Sequence, residues 1–257
     1  MIGSSDSRDS ALPASEPPAG SPEWWNERYQ AGDIPWDTGV VPPEVVDLLA
    51  SGQVRPGWAL DLGCGSGLSS RYLARHGFRV VGIDLALSAL VRAVEVARAE
   101  DLPAFFCLAD VTDLGFLRVC ASFALDVGCF HAIHPDRRSL YIESLAARLL
   151  PGALFLLYAL TLSSDDAGAL TGEDGMGPRG IGPADIGRFA PHFVLRWTQH
   201  GQDRERPSAW YLLQRVWPVA LVSMISIERR PAYLPGGRQS LEWNKTDREF
   251  KQTQGAT

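Results

Sequence analysis

The chain is poor in cysteine. Its four, Cys64, Cys107, Cys120 and Cys129, form no Cys-x-x-Cys pair and no zinc-type spacing. That excludes a disulfide scaffold and points to a reduced protein with no metal site. An excess of positive charge is also missing. Twenty-four Lys and Arg stand against 30 Asp and Glu, for a net charge of −6, so there is no broad basic footprint for nucleic acid. Long apolar runs are absent too. The longest, Trp210 to Ile227, is interrupted by Gln214, Arg215 and Pro218, which reads as a pair of strands and not as a membrane span. Residues 1–22 are rich in Ser, Pro, Ala and Asp and lack an apolar h-region, so a disordered leader and a cytoplasmic location are expected. No internal repeat is visible.

What is present is enough for a full core. At 257 residues and 46% hydrophobic content, the chain suits one domain with additions. Glycine, proline and acidic residues punctuate it into alternating units. Short apolar runs at 58–62, 79–84, 104–108 and 123–127 read as strands. Helical patterns at 67–76 and 88–100 lie between the first three. The second carries Leu90, Val94 and Ala97 on one face. A helix from Arg137 to Leu150, with Leu140, Leu145 and Leu149 inward, ends at Pro151-Gly152. The long, predominantly apolar run Ala153 to Leu162 follows as a fifth strand. After a glycine- and aspartate-rich segment at 163–182, either a lid or a mobile surface loop, come a short helix at 183–189 and a final antiparallel pair at 193–198 and 210–216. Strands alternating with helices predict a mostly parallel sheet covered on both faces, with ligands at the strands' carboxyl ends. The polar tail after Lys245 reads as disordered.

The segment Asp61-Leu62-Gly63-Cys64-Gly65-Ser66-Gly67 joins the first strand to a helix, and Asp84 closes the second strand. Glycines at alternate positions allow a tight turn and close approach to a ligand. An acid about 20 residues on is placed to accept from ribose hydroxyls. The leading Asp61 would repel a pyrophosphate but suits a cation, such as the amino group of an adenosyl-methionine. The plainer alternative is an ordinary glycine-rich turn of another α/β domain.

This pattern resembles the first motif of the class I S-adenosylmethionine-dependent methyltransferases. The aromatic entry narrows the likeness. Trp25-x3-Tyr29, then Pro35-Trp36-Asp37-Thr38-Gly39, then a proline-led helix at 44–51 is similar to the thiopurine, thiol and halide methyltransferases, with tellurite-resistance methyltransferases more distant. Asp126-x-Gly128-Cys129-Phe130-His131-Ala132-Ile133, with Pro135-Asp136-Arg137 and Tyr141, resembles their fourth-strand segment. Gly177-Pro178-x3-Gly182-Pro183-x-Asp185-Ile186 resembles their lid.

The resemblance covers residues 23–217, leaving a C-terminal extension at 218–257. It implies a Rossmann-like class I methyltransferase fold, with a mostly parallel seven-stranded sheet, helices on both faces and a last antiparallel strand. It implies S-adenosyl-L-methionine as cofactor and a small-molecule acceptor, in a monomer or weak dimer. Trp25, Tyr29 and Trp36 would close over the sulfonium, since aromatic faces attract cations; otherwise they are core or surface aromatics. Gly63, Gly65, Gly67 and Gly128 would line the cofactor, and Asp61 would meet its ammonium. Asp84 would hold the ribose, Leu85 would pack on adenine, and Asp110 and Val111 would read the adenine edge. Asp110 could instead cap a helix. Val127 stands where thiopurine enzymes carry an arginine that steers an anionic thiolate.

Transfer from a sulfonium needs alignment and dryness more than a metal. A thiolate or halide needs no base, whereas a phenol or amine benefits from one. His131 is the candidate base, or else the residue that orients its loop. Cys129, Phe130 and His134 share the expected acceptor pocket, with Cys129 as packing and not as a nucleophile. The expected function is methyl transfer to a soft nucleophile on sulfur, selenium or a halide. An O- or N-methyltransferase of a natural product or quinone, or a non-catalytic cofactor binder, are the alternatives.

Overall fold

A computed structural model describes residues 16–162 and 180–217. The entry helix α1 (Pro22–Ala31) starts where Ser21 Oγ accepts from the Trp24 N–H at 3.1 Å, with Pro22 in the first turn, and it ends at left-handed Gly32. Helix α2 (Pro43–Ala50) is also proline-led and buries Val45 and Leu48. Then the alternation begins: β1 (Trp58–Leu62), α3 (Leu68–Arg75), β2 (Arg79–Asp84), α4 (Leu87–Ala99), β3 (Ala104–Leu108), β4 (Ala121–Val127), α5 (Arg138–Ala146), β5 (Leu149–Leu160), α6 (Pro183–Gly187), β6 (Phe193–Asp203) and β7 (Arg206–Arg215).

The seven strands form one sheet in the order β3-β2-β1-β4-β5-β7-β6. β1 to β5 pair in parallel, and β7 runs antiparallel to both its neighbours. This is the mostly parallel sheet with a last antiparallel strand that the sequence predicts. Central strands bury both faces. Leu60, Ala124 and Phe155 join Tyr141, Ile142 and Leu145 of α5 on one side. Ala59, Phe123, Leu125 and Leu156 join Val45, Leu48 and Leu73 on the other. Burying each large side chain contributes about 1.5–3 kcal/mol. The strand order reverses between β1 and β4, so their carboxyl ends flank the crevice where such sheets bind ligands.

Three expectations need correction. Helix α5 stops at Ala146, and Leu149 and Leu150 already belong to β5, where Leu149 pairs with Ala121. Pro151 and left-handed Gly152 break no helix; they lie inside the strand, where its register with β4 shifts. The expected inner stripe of α5 holds at Leu145 but not at Leu140. Leu140 is exposed while Tyr141, Ile142 and Leu145 face the core. Finally, β6 and β7 extend to a two-residue turn at Arg204-Glu205, both with positive φ. Their outer halves are polar on both faces and give no strand periodicity.

Residues 1–15 of the expected leader, 163–179 of the expected lid (Gly177 and Pro178 among them) and the extension 218–257 lie outside the described residues. Gly180 to Gly182 are seen returning to the sheet, where Ile181 bridges Thr161. No helix among the described residues is long and apolar enough to cross a membrane.

Candidate active site

The β1–α3 turn is built for close approach. Gly63 has φ +66°, and a Cβ there would fall 2.5 Å from the Cys129 Cβ. A Cβ on Gly65, at φ +53°, would overlap the Tyr29 hydroxyl. The turn and Asp84 are one unit. Gly65 N–H donates to Asp84 Oδ2 and Ala86 N–H to Oδ1, both at 2.8 Å. Burial pushes the Asp84 pKa up against these donors. Each oxygen keeps lone-pair capacity for a hydroxyl.

Asp61, at the end of β1, is 2% exposed. Burial raises its pKa to about 6, although Ser70 Oγ donates to it at 2.6 Å. A carboxylate desolvated to this degree is stabilised by an incoming cation. Tyr29 and Trp36 lie over the turn. Trp36 Nε1 donates to the Tyr29 hydroxyl at 3.1 Å, and Trp25 meets Trp36 edge-on with centroids 5.3 Å apart. Burial, then the Asp84 charge, keeps the Tyr29 phenol protonated by raising its pKa. Arg28 stacks over Trp24 and Trp36 and pairs with Asp33 at 2.8 Å, which ties the entry segment together.

The turn, Asp61, Tyr29 and Trp36 open on a cleft of about 360 Å³, whose lining does not include Trp25 or Asp84. Of the sequence-predicted site residues, Tyr29, Trp36, Asp61, Gly63 and Gly65 line it. Leu85 follows Asp84 beyond the turn, and Gly67, at φ +76°, starts α3 and faces Ala93 and Phe106. Asp110 caps no helix. Its Oδ1 accepts from the Thr112 N–H at 2.8 Å, and Oδ2 pairs with Arg137 at 2.8 Å. Burial would raise its pKa, but the Thr112 and Arg137 donors outweigh that and hold the carboxyl below its ordinary value. Val111, beside it, is buried.

The fourth-strand segment is organised by Asp126, which is fully buried. Its carboxylate accepts from Cys129 N–H at 2.7 Å, Phe130 N–H at 3.0 Å and the Tyr141 hydroxyl at 2.6 Å. Gly128, at φ +96°, backs onto the His131 ring. Phe130 sits in the core beside Tyr141 and Phe189. None of Gly128, Cys129, Phe130, His131 and His134 lines the cleft. The His131 Nδ1 accepts from Leu160 N–H at 3.3 Å, and burial, then the charges of Arg206 and Arg138, lowers its pKa to about 3. A ring so placed is a poor proton acceptor near neutrality, which counts against the base role and for the loop-orienting one. The exposed His134 accepts from Asp136 N–H at 3.3 Å and caps the next turn.

The far wall of the cleft comes from β5 and the β6–β7 hairpin: Tyr158, His200, Asp203, Ser208 and Trp210. Sequence reasoning missed these residues. One signal was available, because Tyr158 carries the only polar side chain of β5. The hairpin residues gave none.

Residues 59–152 match the family model described as "Methyltransferase domain". A 2-heptyl-1-hydroxyquinolin-4(1H)-one methyltransferase of Mycobacteroides abscessus is 31% identical over 124 residues, 48% of this chain and 54% of its own length. Thiocyanate methyltransferase 1 of Brassica oleracea is 30% identical over 146 residues, 56% of this chain and 64% of its own. The chain thus spans less than two thirds of either relative. Among solved structures, a 1,6-didemethyltoxoflavin-N1-methyltransferase of Burkholderia thailandensis bound to S-adenosylhomocysteine superposes with a TM-score of 0.64 at 20% identity, over 76% of this chain and 87% of that one. At that identity the likeness is one of fold.

Proposed function

We propose that this member of the class I S-adenosylmethionine-dependent methyltransferases moves a methyl group from that cofactor to a small-molecule nucleophile held between its aromatic entry segment and its β6–β7 hairpin. The observation that carries this reading is Asp61. A carboxylate at 2% exposure, its pKa raised to about 6, lies on the cleft beside the glycine turn and under Tyr29 and Trp36. That set fits a ligand with an ammonium and a sulfonium better than a phosphate.

In this reading Asp61 meets the ammonium and Gly63, Gly65, Gly67 and Gly128 admit the methionine portion. Asp84 takes the ribose hydroxyls, Leu85 packs on adenine, and Asp110 and Val111 read its edge. The ionised Asp110 is an acceptor only, which suits an amino group. When bound, the cofactor supplies a methyl group already activated by positive sulfur. Trp25, Tyr29 and Trp36 exclude water and the walls align the acceptor, and proximity supplies most of the acceleration.

The acceptor we favour is a soft nucleophile, a thiol before selenium or a halide. The similarity to a thiocyanate methyltransferase supports sulfur chemistry. The similarity to an N-hydroxyquinolone methyltransferase keeps an oxygen acceptor as a second reading, and the Tyr158 hydroxyl in the cleft favours it as well. We assign the activity to residues 23–217, acting in the cytoplasm as a monomer or weak dimer without nucleic-acid or membrane partners. Calorimetry with S-adenosylmethionine, followed by methyl transfer to thiols, iodide, phenols and amines, tests this. Binding with turnover of a thiol is expected. No heat and no rise in melting temperature at saturating cofactor would sink the reading.

A further inference from the structure

The carboxyl ends of β4 and β5 lie side by side, with Val127 and Tyr158 in register, and both residues line the cleft with Gly63 and Trp36. The Tyr158 hydroxyl donates to Asp203 Oδ2 at 3.0 Å. Asp203 stands at the hairpin tip and is exposed to solvent. Tyr158 is half-buried and stacks on Trp210 with centroids 5.0 Å apart. The pair therefore links the inside of the cleft to water through one hydrogen bond.

The charges around it are lopsided. Asp37, Glu44, Asp61 and Asp203 line the cleft with His200, and no Lys or Arg among the described residues does. Two cations stand close by. Arg206 is the cross-strand partner of Asp203, and its charge acts against the Asp203 charge on Tyr158. Arg204 donates to the Pro35 carbonyl at 2.7 Å. With Asp61 engaged by the cofactor's ammonium, an acceptor that arrives as an anion still meets Asp37, Glu44 and Asp203 at the walls, whereas a neutral one carrying its proton is not repelled by them.

We propose that Tyr158 and Asp203 are the proton exit of this cleft, and that the acceptor enters as a neutral X–H group, a thiol or hydroxyl, and not as a preformed anion such as a halide. This rests on the methyl-transfer reading above and deepens it. The balance is complete. The X–H pair stays on X as its proton passes to the Tyr158 oxygen, while the Tyr158 proton passes to Asp203. X forms its bond to the methyl carbon as the carbon–sulfur pair returns to sulfur. Asp203 then releases the proton to water. Tyr158 touches the acceptor, and Asp203 acts through it. Burial, against the hydrogen bond from Ser208, raises the Tyr158 pKa to about 12, so the phenol stays protonated between turnovers and has a proton to pass on.

Two experiments with the full chain test this. In the first, 4-nitrophenol is bound to protein saturated with S-adenosylhomocysteine, and its colour reports whether it keeps its proton. The wild type is expected to hold it protonated above its free pKa, with Tyr158→Phe and Asp203→Asn each lowering the bound value. In the second, 2-mercaptoethanol and iodide are compared as methyl acceptors across pH. Tyr158→Phe should lower the thiol-to-iodide rate ratio by about 10²-fold and make thiol turnover rise with pH as the thiol ionises by itself. Asp203→Asn should do the same to a smaller degree. The proposal is overturned if the probe binds as its anion or not at all, if iodide outruns every X–H acceptor, or if the variants leave ratio and pH profile unchanged. If cofactor binding fails as well, the methyl-transfer reading falls with it; if the cofactor binds normally, this inference falls alone.

Discussion

Tyr141 donates its hydroxyl to the Asp126 carboxylate at 2.6 Å, and both residues are fully buried. Burial raises the Asp126 pKa to about 7, against the donors from Tyr141, Cys129 and Phe130. Folded Asp126 therefore binds a proton more readily than the unfolded chain, whose Asp titrates near 3.9. Its contribution to stability is present below about pH 4 and is lost as pH rises through about 7. The stability of the wild type relative to Asp126→Asn should fall across that window, by at most roughly 4 kcal/mol. Urea melts of both proteins between pH 4 and 8 measure this. Parallel curves would refute it.

The same residue shows where sequence legibility stops. The central strands were legible because parallel strands buried on both faces are continuous apolar runs, cut by Gly63, Asp84 and Gly128 at their carboxyl ends. The glycine turn and its link to Asp84 follow from a local pattern with an acid 19 residues after Gly65. Asp126 instead resembles any acid at a strand end, because its partner Tyr141 lies on the far side of a loop. The Tyr158–Asp203 contact joins residues 45 positions apart. The outer hairpin carries mostly polar residues, and its turn uses Arg204 and Glu205 where glycine or asparagine would signal it. That Tyr141 faces inward where Leu140 is expected goes with its hydrogen bond to Asp126, which no count of leucines reveals.

Asp61 gives a prediction with the opposite sign. Its pKa of about 6 belongs to the free protein, and the carboxylate form is the one that attracts an ammonium. Affinity for S-adenosylmethionine should rise with pH between 5 and 7 and then level off. Asp61→Asn should flatten that dependence and weaken binding by roughly 30-fold, about 2 kcal/mol. Calorimetric titrations at several pH values decide it; an Asn variant that keeps the slope would assign the dependence to another group.

Gly63 and Gly39 make a matched pair of backbone tests. Both have φ near +70°, but a Cβ on Gly39 has nothing within 4 Å, while one on Gly63 meets the Cys129 side chain. Gly39→Ala should cost only the conformational strain, about 1–2 kcal/mol. Gly63→Ala adds overpacking of about 1–3 kcal/mol, which lowers the melting temperature further by roughly 3–10 °C. Equal losses in the two variants would show that the β1 and β4 loops are not in contact.

Arg138 anchors the chain where it returns to the sheet. Its guanidinium pairs with Asp185 at 2.7 Å, with side-chain exposures of 3% and 12%, and donates to the Gly180 and Ile133 carbonyls at 3.1 Å. Desolvating both ions offsets much of their attraction, so the pair as a whole adds little net stability. Removing Arg138 leaves the buried Asp185 with only the Gly182 N–H at 3.0 Å and Arg188 Nε at 3.7 Å to compensate its charge. Arg138→Met should therefore cost about 3–5 kcal/mol, whereas the double variant Arg138→Met/Asp185→Leu should recover most of it. A double-mutant cycle by urea denaturation reads the coupling directly. If the double variant is as unstable as the sum of the single ones, then Arg138 acts through its carbonyl contacts and the ion pair is incidental to how Gly180–Gly182 dock.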